Sequence, residues 1–107
     1  MNIEKAKAQM RKGVLELCTL AIISEKDAYA SDIIGKLKSS DLIVVEGTLY
    51  PLLTRLKNEG LLQYRWEEST SGPPRKYYHL TDQGEKSLNV LKDAWTQLTS
   101  AVNKIIS

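Results

Sequence analysis

From Thr81 to Ser107 the chain runs without a proline, and Leu88, Leu91, Trp95, Leu98, Val102 and Ile105 recur at 3-4-3-4-3 spacing. That period is a heptad seam, narrower than the stripe of an ordinary amphipathic helix. Thr81 is placed to cap the helix and Asp82 to sit in its first turn. A helix of about 25 residues would be roughly 37 Å long at 1.5 Å per residue. That exceeds the diameter expected of a globule built from the preceding segment. Each Leu or Ile moved out of water contributes about 1.5–3 kcal/mol, so a monomer would forgo most of the seam. The spacing therefore predicts a homodimer, with 81–107 as its dimerisation helix. A seam of fewer than four heptads is short for a free coiled coil, so packing on the partner and on another helix is expected.

The first helix supplies that other surface. Residues 3–24 contain no proline and one glycine, Gly13. Met10, Val14, Leu17 and Ala21 form one apolar stripe, and Leu15, Cys18 and Ile22 form a second beside it. One stripe suits a small core and the other needs a second partner. The first half is polar and basic, with Lys5, Lys7, Arg11 and Lys12. Glu25–Asp27 reads as a connection, and a second helix opens near Tyr29, with Ser31 or Asp32 as cap or first-turn acid. Leu42-Ile43-Val44-Val45 is a β-branched run that fits a brief strand.

The stretch Glu46–Leu62 carries a third helix of three to four turns, with Leu49, Leu52, Leu53 and Leu56 on one face, Gly60 at the left-handed C-cap position after it, and Leu61 restarting an apolar run. Pro51 lies about one turn inside, where its missing N–H costs little. Leu61–Trp66 and Arg75–Leu80 read as strands, joined by the polar Gly/Pro cluster 67–74 as a β-hairpin. Helix, helix, short strand, helix, hairpin, long helix is a mostly α fold with a small β-hairpin. It describes a winged helix-turn-helix over 1–80, to whose dimer the first helix also contributes, followed by the dimerisation helix.

Several functions are excluded by composition. The 107 residues make one domain, with 42% apolar and 26% charged residues. One cysteine and one histidine, Cys18 and His79, provide neither a disulfide nor a metal ligand set. No nucleophile–base–orienter set is recognisable, so neither an enzyme nor a cofactor is expected. No run is long enough for a membrane span and the N-terminus is not a signal peptide, which predicts a cytoplasmic protein. A net charge of +2 allows nucleic acid without demanding it.

Clustering is more telling than the total. Thr48, Tyr50, Thr54, Arg55 and Asn58 lie largely off the apolar stripe of the third helix, and such groups touch phosphates and base edges; Arg55 and Lys57 bring positive charge to it. Arg75 and Lys76 stand at the base of the hairpin, and Ser71 and Gly72 at its tip. A third helix in the major groove with a hairpin on phosphate predicts double-stranded DNA as partner, and a dimer predicts a pseudo-palindromic site. A winged helix used for protein–protein contact is the alternative, since Glu67 and Glu68 stand close to the wing.

Three segments carry a family resemblance: G-T-L-Y-P-L-L-T-R-L-K-N-E-G-L-L at 47–62, G-P-P-R-K-Y-Y-H-L-T at 72–81 and K-G-V-L-E-L at 12–17. With these the chain resembles the PadR-type transcriptional regulators, specifically the short subfamily with a single C-terminal dimerisation helix. The resemblance implies a repressor released by a small planar aromatic effector or by stress. It implies Thr48, Tyr50, Pro51 and Thr54 at the DNA face, and Gly72, Pro73, Arg75 and Lys76 at the wing. It is similar to multidrug-binding members, in which a tryptophan at the place of Trp95 lines a pore at the dimer centre. Met10, Gly13, Leu17 and Leu91 would line the same space. Equally, Trp95 fills a seam position and stacks on its mate with no ligand. Two departures stand out: relatives carry Tyr-Gly-Tyr where this chain has Tyr29-Ala30-Ser31-Asp32, and Glu16 lies on or beside the stripe facing the dimer centre.

Overall fold

The computed structural model describes residues 1–107. Asn2 opens the first helix, α1 (Ile3–Glu25), by accepting the Lys5 N–H at 3.0 Å. A two-residue strand, β1 (Ala28–Tyr29), leads into α2 (Ala30–Ser39) and then α3 (Glu46–Asn58). The hairpin is β2 (Leu62–Ser69) and β3 (Gly72–Leu80), and α4 (Asp82–Ile106) ends the chain. The three strands make an antiparallel sheet in the order β1-β3-β2.

Two helix ends use the same device. Asp41 takes a left-handed φ of 66° and Leu42 N–H reaches back to Leu37 O at 2.8 Å. Gly60, at φ 82°, lets Leu61 N–H reach Leu56 O at 3.0 Å. Asp41 is a residue type that tolerates this conformation, and Gly60 is the expected cap. The first of these turns sends Leu42–Val45 off as an unpaired extended segment, so the strand expected there does not form. The sheet edge it would need is held by Ala28 and Tyr29, paired with Tyr78 and Tyr77. A strand of two residues leaves no readable period in the sequence.

The hairpin strands also run further than their aromatic cores suggest, and the connection shrinks to Thr70 and Ser71. Pairing is continuous from Leu62↔Leu80 to Glu67↔Arg75, then slips before Ser69↔Gly72. Pro73 and Pro74 lie at the slip and have no N–H to give the ladder, which accounts for the irregularity.

The core is a cluster of 13 buried residues drawn from every helix and strand. Leu49, Leu53 and Leu56 enter it from α3 as expected, and Leu52 is half-buried. On α1 the deepest line is Thr19, Leu20 and Ile23, on a face that neither anticipated stripe marks, while the second-half members of both stripes are half-buried. Thr81 joins α3 to α4: its hydroxyl donates to Gly60 O at 2.6 Å and accepts from Gly84 N–H at 3.0 Å.

Gly84 then lets α4 touch the hairpin. A Cβ there would lie 2.2 Å from Leu61 O and 2.8 Å from the Leu80 side chain, so only glycine fits. Leu88 is 1% exposed, inside the core of its own chain. The seam thus splits: its first member belongs to the globule and Leu91 is half-buried. Trp95, Leu98, Val102 and Ile105 stand 46%, 57%, 42% and 83% exposed. No helix is long and apolar enough to cross a membrane.

Candidate nucleic-acid interface

With Leu49, Leu53 and Leu56 buried, the 3.6-residue period turns Gly47, Pro51, Thr54 and Asn58 outward from α3. Tyr50 and Lys57 fall on the flank toward the hairpin. Thr48 and Arg55 fall on the flank toward α1. Each of these residues is exposed.

On the hairpin flank, Tyr50 and Thr54 share a cleft of about 420 Å³ with Trp66, Pro74, Arg75 and Lys76 and with Tyr29 at the start of α2. Its cations are seated on aromatic rings. The Arg75 guanidinium carbon lies 4.0 Å from the Tyr29 ring centre. Lys76 Nζ lies 4.7 Å from Tyr64 and 5.6 Å from Trp66. A ring holds a cation in place without neutralising it, and the N–H edges stay free for phosphate. Neither Arg75 nor Lys76 forms an ion pair. Burial, and then the neighbouring Tyr50 and Tyr64, push the Tyr78 hydroxyl up, so it stays a neutral floor to this cleft.

Trp66 is 61% exposed and meets Tyr64 edge-on at 5.8 Å. Behind the cleft, Arg65 stacks at 4.6 Å on Tyr77 and pairs with Glu67 at 2.7 Å and Asp27 at 3.5 Å. Gly72 and Pro73 lie exposed at the tip of the wing, beside Ser71.

The other flank differs. Arg55 Nη1 donates to Glu59 Oε2 at 2.9 Å, and Nη2 to Glu16 Oε2 at 3.2 Å. The hydrogen bond to Glu16, followed by the charge of that carboxylate, pushes the guanidinium pKa further up. Two carboxylates thus pair with the cation expected to meet DNA. The same pair places Glu16 against α3, away from the expected dimer-facing stripe. Asp32 is also accounted for: it accepts the Tyr29 N–H at 3.0 Å as a cap. His79 bonds Gln63 across the strands at 3.1 Å.

The anticipated effector residues lie along α1 and α4. Met10 is 74% exposed, and a Cβ on Gly13 would meet nothing within 4 Å. Leu17 and Leu91 are half-buried against the core, and Trp95 is exposed. Burial pushes the Cys18 thiol up, so it stays protonated at neutral pH. No group of His, Cys, Asp or Glu residues is arranged to hold a metal ion.

The model of the transcriptional regulator PadR-like family matches residues 19–90, which spans α2, α3, the hairpin and the first turns of α4. The chain belongs to the PadR-like family. A PadR-like transcription factor from Bacteroides fragilis is 60% identical, with 94% of this chain and 98% of that one covered and a TM-score of 0.79. A PadR family regulator from Eggerthella lenta is 30% identical over 98% and 92% of the two chains, with a TM-score of 0.90. A PadR-like regulator from Bacillus cereus is 41% identical over 92% and 97%, with a TM-score of 0.80. This PadR-like chain is therefore a transcriptional regulator of DNA-binding type, built on a winged helix with a long C-terminal helix.

Proposed function

We propose that the protein is a homodimeric repressor that reads a pseudo-palindromic operator with two copies of α3. In this reading 1–80 is the reading head and 81–107 the dimerisation helix, whose first turns also seal the head. The observation that carries it is the bare half of the seam. Trp95, Leu98, Val102 and Ile105 face solvent in one chain, and so do Met10 and Ile3 on α1. A second copy covers apolar surface of that kind most economically, since one patch serves both protomers. Two heads then stand at a fixed spacing, which a two-fold-symmetric operator matches.

In each head Thr48, Tyr50, Pro51 and Thr54 face the major groove, Lys57 follows on the wing-side flank, and Gly72, Pro73, Arg75 and Lys76 meet the backbone at the wing. Met10, Gly13, Leu17, Leu91 and Trp95 bound the dimer centre, where a planar aromatic effector stacks on Trp95 and resets the spacing. Such a regulator works in the cytoplasm, where the DNA is. The test is a labelled duplex titrated with protein at low salt and again as salt is raised. Binding that weakens linearly in log–log form supports the reading. A duplex left free at low salt sinks it in favour of a protein–protein module.

A further inference from the structure

A helix in the major groove lies between two sugar-phosphate backbones about 12 Å apart, so it needs cations on both flanks. On one flank the hairpin supplies Arg75 and Lys76. On the other, Arg55 is held by Glu16 and Glu59. The next cation on that side comes from the first helix. Lys12 of α1 shares a groove of about 490 Å³ with Gly47, Thr48 and Pro51, the outward start of α3. It is exposed and makes no ion pair, and the same holds for Arg11.

We infer that Lys12, not Arg55, is the phosphate contact on the flank of α3 away from the wing. The inference rests on the DNA-binding reading above. Glu16 lies four residues after Lys12, which puts its carboxylate within reach of that lysine on the helix surface. Arg55 occupies the Glu16 carboxylate from across the groove at 3.2 Å. The lysine is thereby left with its full charge beside Thr48. Arg55 is a positioning residue: it acts on DNA by keeping Glu16 away from Lys12. The charges nearby are otherwise favourable, since the basic first half of α1 has one acid, Glu4, and Lys7 pairs with it at 3.7 Å.

The experiment measures the salt dependence of duplex binding for the full chain, wild type and variants, by anisotropy of a labelled nonspecific duplex. Lys12→Gln should lower the log–log slope by about 0.9 for each phosphate no longer neutralised, hence about 1.8 for a dimer. Lys12→Arg should keep the wild-type slope. Arg55→Ala should weaken binding in the wild-type background and add nothing to Lys12→Gln. A wild-type slope in Lys12→Gln overturns the inference, and so does a further loss when Arg55→Ala is added to it. A wild-type protein that leaves the duplex free, with Arg75→Ala silent as well, overturns the DNA-binding reading itself.

Discussion

One helix, α4, lives in two environments. Its first ten residues carry Gly84, which admits no side chain, and Leu88, which is 1% exposed. Its last fifteen carry an equally regular set of large apolar groups, from Trp95 at 46% to Ile105 at 83% exposed. The sequence period is continuous across both. The two halves differ in what lies opposite: the core and the hairpin take up Leu88 and Gly84 of the first, and the large apolar groups of the second stand open to solvent. A heptad repeat reports that a surface will be covered. It does not report whether the cover comes from the same chain or another.

Substitutions can separate the halves. The largest effect is expected in the first: Leu88→Ala should cost about 2–5 kcal/mol, seen as a lowered denaturant midpoint. Gly84→Ala follows at about 1–3 kcal/mol, because Leu61 O is backbone and cannot swing aside. If either variant keeps the wild-type midpoint, the first half is not core. Leu98→Lys should leave helical circular dichroism intact and halve the mass in solution. Should it unfold the head instead, the second half is no separate seam. Trp95→Ala should leave duplex binding intact and remove any quenching by planar aromatic compounds. An unquenched wild type would mean that the two rings fill the centre themselves. The smallest effect belongs to Arg55→Ala, whose half-exposed pairs should be worth about 0–1 kcal/mol of stability. A loss well above that would make the Glu16 bridge a pillar of the fold.

The helices were legible because their stripes are local: Leu49, Leu53 and Leu56 bury as their spacing predicts, and Gly60 and Thr81 cap as their chemistry predicts. What was not legible depends on pairs distant in sequence. Leu42–Val45 has strand residues but no free strand edge beside it, while Ala28–Tyr29 has one in β3. Arg55 has the chemistry of a phosphate contact, yet Glu16, 39 positions earlier, takes one side of its guanidinium. At the wing, Arg75 was legible as a cation, but not its seat on Tyr29. Gly84 looked like one more residue of a helix, since its reason is a carbonyl on another element.

In the proposed dimer a second copy covers the bare half of α4 and turns one reading head into a pair. Sedimentation equilibrium of the wild-type protein tests this most directly. A mass of twice the 12.0 kDa chain is the predicted result. A single-chain mass at concentrations where the protein binds duplex would contradict it.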